Sequence, residues 1–141
     1  MIKAAGLILA KHVDGRLYLL LQRRLRRGRL VYEDFGGRAE ATDASPIDTL
    51  LREAVEESNG LLDRASLAQR VESGCYSGFY QGKYLFLVLL ATAEEQELTD
   101  FGEKECHMEI ERQVRWVRAD EIQKKDLCPR LHHRLFMDQL R

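Results

Sequence analysis

Three glutamates, Glu53, Glu56 and Glu57, follow Arg52 in the segment GGRAEATDASPIDTLLREAVEESNGL, which runs from Gly36 to Leu61. Spaced i, i+3 and i+4, their carboxylates leave one side of a helix. Ile47, Leu50, Leu51, Ala54 and Val55 take another side, centred roughly 130° away by the same geometry. Glu53 and Glu57 are like charges at i,i+4, which costs about 0.2–0.5 kcal/mol where opposite charges would stabilise. A divalent cation removes that cost. Mg²⁺ takes hard oxygen ligands and commonly combines one or two carboxylates with water and phosphate oxygens. An acidic helical face beside Gly36-Gly37 therefore predicts a metal-dependent site acting on phosphates.

These residues resemble the signature of the Nudix hydrolases: Gly, five residues, Glu, seven residues, Arg-Glu, an aliphatic residue, any residue, Glu-Glu, any residue, Gly, an aliphatic residue. Gly37, Arg52, Glu53, Ala54, Glu56, Glu57, Gly60 and Leu61 match by type, and Glu40 stands where many members carry another acid. The chain departs in three ways: Asp43 replaces the first glutamate, eight residues separate it from Arg52, and Ser58-Asn59 separates Glu57 from Gly60 where the signature has one residue. Both insertions fall outside the Arg52–Glu57 register. One precedes Ser45-Pro46, an N-cap followed by proline at the first helical position; the other falls at Asn59-Gly60, a helix stop. In the family the first acid commonly pairs with the arginine and braces the loop, so Asp43 bears on that brace more than on the metal ligands.

The resemblance implies Mg²⁺ or Mn²⁺ held by Glu53, Glu56, Glu57 and the backbone carbonyl of Gly36, with Arg52 orienting the glutamates. It implies hydrolysis of a diphosphate bond in a nucleoside diphosphate linked to another moiety, such as a nucleotide or nucleotide sugar. Two alternatives stand beside this reading: hydrolysis of an mRNA cap, and a non-catalytic Nudix-fold module that binds a nucleotide or a protein. The general base in the family is a glutamate of the signature or an acid from a loop before the late strand. Glu103, Glu105, Glu109 and Glu111 compete for the loop position, and Glu109 and Glu111 are favoured as nearest to Trp116.

Outside the signature, QRRLRRGR gathers Arg23, Arg24, Arg26, Arg27 and Arg29 just before the glycines. It reads either as a solvated loop balancing nearby acids or as a rim for substrate phosphates, since guanidinium forks bind phosphate oxygens in pairs. Arg23 and Arg24 are the candidates for that rim. Phe79, Tyr80 and Phe101 are candidates to stack on a nucleoside.

The elements that must position these groups follow from periodicity. Lys3–Lys11 and Arg16–Arg23 flank Asp14-Gly15 and predict a hairpin. Val71–Phe79 and Lys83–Thr92 flank Gln81-Gly82 and predict a second, with Cys75 on its first strand and Tyr84–Leu90 apolar enough to be central. Gln113–Arg118 predicts a strand carrying Trp116 as a core anchor, followed by a short helix from Ala119. A final helix is expected near Pro129, with Leu131, Leu135, Phe136 and Leu140 on its docked face. The result is an α/β (α+β) chain with a mixed β-sheet, the arrangement expected of a Nudix-type αβα sandwich, and residues 1–141 are expected to form one domain.

Composition excludes several classes. At 141 residues, 45% hydrophobic and 32% charged, the chain has the make-up of a globular domain. A net charge of −1 gives no global pull toward nucleic acid or anionic membranes, so phosphate recognition must be local. The partner expected is a nucleotide or other diphosphate-containing small molecule. RNA has no supporting motif, no membrane association is expected, and monomer and homodimer stay equally open. Ala4–Ala10 is too short to span a membrane or to read as a signal peptide. Cys75, Cys106 and Cys128 lack paired spacing and suggest reduced thiols in a cytoplasmic setting. His12, His107, His132 and His133 lack metal-ligand spacing.

Overall fold

Six consecutive residues of β1 (Ala4–Val13), Ala5 to Ala10, are buried because the strand is paired along both edges and both faces of the sheet are covered. On one edge its first half pairs with β4 (Phe35–Arg38) and its second half with β2 (Arg16–Arg26), both antiparallel. Along the other edge Ala4–Ala10 runs parallel to β6 (Tyr84–Leu90). β2 also pairs with β3 (Arg29–Glu33) and β9 (Gln113–Arg118), and β6 with β5 (Ser77–Gln81). This mixed sheet holds seven strands among the described residues, and β7 (Lys104–Glu105) and β8 (Ile110–Glu111) form a separate small hairpin. The computed structural model describes residues 1–106 and 108–141; His107, included in the spacing argument above, lies outside the described residues.

Side chains alternate across the sheet and build two cores. Ala5, Leu7, Leu9, Leu20, Leu85 and Leu87 meet Leu50, Leu51 and Ala54 of α1 (Pro46–Glu57) and Leu67 of α2 (Arg64–Glu72). On the opposite face Ile8, Leu19, Leu21 and Phe86 meet Leu131, Phe136 and Leu140 of the C-terminal segment. The expected αβα sandwich with a mixed sheet is the architecture found. A short α3 (Ala93–Gln96) and a terminal α4 (Arg134–Gln139) complete the helices. Among the described residues no helix is long and apolar enough to cross a membrane.

The hairpin at Asp14-Gly15, the turn at Gly82 and the strand Gln113–Arg118 stand where the sequence places them. Four local expectations are corrected. Val71 lies in the last turn of α2 rather than opening a strand. Asp63 caps that helix by accepting from the Ser66 N–H at 2.9 Å, and Gly74 at φ 72° stops it, so Cys75 lies exposed before β5. The arginine cluster is a hairpin rather than a loop: Arg27 (φ 50°) and Gly28 (φ 79°) turn β2 into β3. Near Pro129 a 3₁₀ turn precedes α4, which leaves Leu135 61% exposed while Leu131, Phe136 and Leu140 are buried. Phe79 and Phe101 are core residues, so Tyr80 is the exposed ring of the three stacking candidates.

Candidate active site

Helix α1 is fixed at its start by Ser45, whose Oγ accepts from the Asp48 N–H at 3.3 Å, and it ends before Asn59 (φ 55°) and Gly60 (φ 78°). That span carries Arg52, Glu53, Glu56 and Glu57 on the side turned to the glycines of β4. Consecutive residues of a strand face opposite ways, and Gly36 and Gly37 each admit a different neighbour. A Cβ on Gly37 would stand 2.7 Å from Glu53 Oε1, whereas one on Gly36 would meet the Tyr84 hydroxyl at 2.0 Å and the Gly6 Cα at 2.7 Å. Gly37→Ala is therefore expected to displace a flexible carboxylate: melting temperature changes little, and divalent-metal affinity falls about 10-fold or more, read by calorimetric titration. Gly36→Ala meets backbone and is expected to lower the melting temperature markedly in the same preparation.

Arg52 gathers the acids. Its Nε and Nη2 donate to Asp43 Oδ1 and Oδ2 at 3.0 Å each, a bidentate pair. Nη1 donates to Glu53 Oε1 at 3.0 Å and Glu56 Oε2 at 3.3 Å, with Glu40 Oε1 at 3.4 Å. The hydrogen bonds from Arg52 hold the Asp43 carboxyl well below the usual carboxylate range. The loop brace thus survives the change from glutamate: the shorter acid and the extra loop residue offset each other. The insertion at Ser58-Asn59 has its own use, because Asn59 Nδ2 donates to the carbonyls of Phe101 (2.7 Å) and Lys104 (2.8 Å) while its Oδ1 accepts from the Cys106 N–H.

Glu57 is 7% exposed, and its Oε1 accepts from the Gly36 N–H at 2.6 Å and from Gln22 Nε2 at 3.2 Å. Burial, reinforced by the charge of Glu53, pushes its carboxyl up to about 8, and burial also raises Glu53. Two neighbouring carboxylates that resist ionising together are a donor set that a hard cation completes. As placed, Glu53 and Glu56 turn oxygens to Arg52 and Glu57 turns one to Gly36; among the described residues no three acidic, histidine or cysteine side chains converge on one point. By chemistry the carboxylate donors fit a hard divalent cation such as Mg²⁺ or Mn²⁺.

Two polar residues outside the signature hold this arrangement. Arg112, 4% exposed, donates to Gln22 Oε1 (2.9 Å), to the Glu57 carbonyl and to the Phe101 carbonyl (2.7 Å), joining the end of α1 to β2 and the loop before β7. Asp34, fully buried, accepts from the Tyr84 hydroxyl at 2.5 Å and from Arg130 Nε at 2.8 Å. A Cβ on Gly6 would come within 1.9 Å of Asp34 Oδ2, so the pocket for this carboxylate is made by the absence of side chains on Gly6 and Gly36.

Of the arginine candidates, Arg24 turns inward to Glu33 Oε1 at 3.3 Å, while Arg23 on the alternate face stays partly exposed over the Tyr32 ring. Glu111 shares a cavity of about 500 Å³ with Arg23, Glu103 and Arg112. Glu109 stands exposed at φ 55° on the turn into β8, and Glu105 is buried with Oε1 unpartnered. Trp116 packs partly buried against the α1-side core.

A profile for the NUDIX domain matches residues 2–139. The chain belongs to the Nudix family. No curated protein sequence matches it. Among solved Nudix structures, the NUDIX domain of Shewanella oneidensis NrtR complexed with ADP ribose has a TM-score of 0.55 at 15% identity, over 99% of this chain and 85% of that one. The longer S. oneidensis NrtR chain gives 0.57 at 15% identity, over 99% of this chain, which spans 62% of that protein. A C. elegans Ap4A hydrolase binary complex lies further off, at TM-score 0.49 and 15% identity over 86% and 82% of the two chains. At these identities the likeness speaks to the fold alone. Gln22, Asp34, Arg112 and Arg130 were not singled out by sequence. The adjacent polar pair Glu33-Asp34 ahead of the glycines was the one available hint.

Proposed function

We propose that this Nudix chain hydrolyses a diphosphate bond in a nucleoside diphosphate linked to another moiety, in a reaction dependent on Mg²⁺ or Mn²⁺. The observation that carries the reading is the stacking of Glu53 and Glu57 against Gly37 and Gly36, with Arg52 tied to Asp43, Glu53 and Glu56. Glu53, Glu56 and Glu57, with the Gly36 carbonyl, are the residues to hold the metal. When bound, a divalent cation neutralises the phosphate oxygens that repel a nucleophile and lowers the pKa of water. Arg52 restrains Glu53 and Glu56 through Nη1, and the Gly36 N–H and Gln22 do the same for Glu57.

Arg23 is the better placed of the two rim arginines to meet a substrate phosphate, since Arg24 is committed to Glu33. Glu111 is favoured over Glu109 to take a proton from the attacking water, because it shares the cavity of Arg23. That NrtR's domain was solved with ADP ribose makes ADP-ribose a first compound to try.

The test is product release from nucleoside triphosphates, nucleotide sugars, ADP-ribose, dinucleoside polyphosphates and capped RNA, each with Mg²⁺, with Mn²⁺ and with chelator. Metal-dependent cleavage of one class is the expected result. Silence across the panel with either metal overturns the hydrolase reading, and tight binding of a panel member without cleavage would replace it by the binding module.

A further inference from the structure

Arg130 lies on the 3₁₀ turn Pro129–Leu131, on the face of the sheet opposite α1, and no motif draws attention to it. Its guanidinium is held on three sides. Nε donates to Asp34 Oδ1 at 2.8 Å, Nη2 reaches the same oxygen at 2.7 Å and the Asp34 carbonyl at 3.4 Å, and the group lies 4.8 Å from the centre of the Tyr84 ring. Nη1 has no partner among the described residues and is absent from the buried atoms that lack one. With 25% of the side chain exposed, that nitrogen is the open edge of the fork.

The surroundings were built to fix this cation. Asp34 is fully buried, the Tyr84 hydroxyl takes its second oxygen, and Gly6 and Gly36 leave the space that both groups fill. Glu33, the other buried acid nearby, is saturated by Arg24 and Arg26, so it does not compete for Arg130. Burial works against the charge of Arg130, yet Asp34 and Tyr84 outweigh it and the group stays cationic.

Its position ties it to the acidic helix. Gln22 Nε2 donates both to the Asp34 carbonyl, at 3.1 Å, and to Glu57 Oε1, at 3.2 Å, so one side chain spans the interval between Arg130's anchor and Glu57. A guanidinium already fixed loses little side-chain entropy on contact, and a planar N–H edge suits a phosphoryl oxygen.

We propose that Arg130 Nη1 is an anion subsite for a phosphoryl group of the substrate, with Asp34 and Tyr84 as its positioning residues. The assignment rests on the diphosphate reading above but adds a contact outside the Nudix signature. Only the Arg130 edge is open to the ligand; Asp34 and Tyr84 act through it.

The experiment is calorimetric titration of inorganic pyrophosphate in Mg²⁺, with Mn²⁺ affinity measured alongside, for the wild type, Arg130→Gln and Arg130→Lys. Arg130→Gln is expected to weaken pyrophosphate binding at least 10-fold with Mn²⁺ affinity within twofold, and Arg130→Lys to recover part of the loss. A merely structural role would move both affinities together. If Arg130→Gln does not fold, Asp34→Asn/Arg130→Gln removes both charges and is expected to show the same selective loss. Unchanged pyrophosphate affinity in whichever variant folds overturns the subsite, and so does a wild type that does not bind pyrophosphate. Arg130-dependent binding together with silence across the substrate panel supports the subsite and overturns the hydrolase reading alone.

Discussion

Replacing Glu57 by Gln is expected to cut turnover at least about 100-fold while leaving the protein as stable as before, or more stable. The floor on the first effect comes from metal sites in general, where loss of a group that merely supports a ligand costs 10–100-fold. Glutamine keeps the shape of the side chain, and its carbonyl can accept the Gly36 N–H and Gln22 bonds that Glu57 Oε1 accepts now. What it removes is a carboxyl whose ionisation burial resists and a bound cation needs.

The stability effect depends on pH, and its sign follows from the raised carboxyl. Glu57 titrates near 4.5 when unfolded and near 8 when folded without metal, so between those values the folded state holds a proton that the unfolded state releases. Stability from this group is fully present below about pH 4.5 and is lost as pH rises toward 8. In chelator, the wild type is expected to lose on the order of a few kcal/mol across that interval, and Glu57→Gln to lose much less. Saturating Mg²⁺ should flatten the wild-type profile, because a bound cation favours the ionised carboxylate. Denaturant titrations at pH 5, 6.5 and 8 measure all three curves. Parallel curves for wild type and variant in chelator would rule out Glu57 as the titrating group.

Arg112→Met is expected to destabilise the fold by about 3–5 kcal/mol, the usual consequence of breaking a buried charged network from one side. The variant takes the Arg112 donors from Gln22 Oε1 and the Glu57 carbonyl and leaves the Phe101 carbonyl to Asn59. Because the Glu57 carbonyl is the last turn of α1, the loss is expected to reach the site as well as the core. Melting temperature should fall by roughly 10 °C or more for a domain of this size. Activity measured well below that temperature should fall too, since Gln22 is freed to leave Glu57. A drop in stability with unchanged activity would separate the two roles.

Arg112 also shows where sequence reasoning stopped. Read alone, it is one arginine beside a strand of mixed residues, and its three acceptors lie in β2, at the end of α1 and in the loop before β7. Arg130, Asp34 and Tyr84 are scattered in the same way, joined by a network that closes only when β4, β6 and the C-terminal turn meet. Hydrogen bonds between residues distant in the chain leave no periodicity for a reader to find. The choice between Arg23 and Arg24 stayed open for a related reason: adjacent residues of one type carry no spacing to separate them, and the strand's alternation turns one outward and the other onto Glu33.

What the sequence determined by itself is what depends on local spacing. The 3.6-residue period put Glu53, Glu56 and Glu57 on one side of a helix whose start and stop Ser45-Pro46 and Asn59-Gly60 mark, the apolar run of β1 announced a strand, and that of β6 a central one. Tertiary structure decided the rest. It buried Glu57 against a backbone N–H, let Asp43 reach Arg52 across an extended loop, and fixed Arg130 on a carboxylate that two glycines make room for. Those outcomes are set by packing between elements far apart in the chain, where the free energy of a charge depends on which neighbours displace its water.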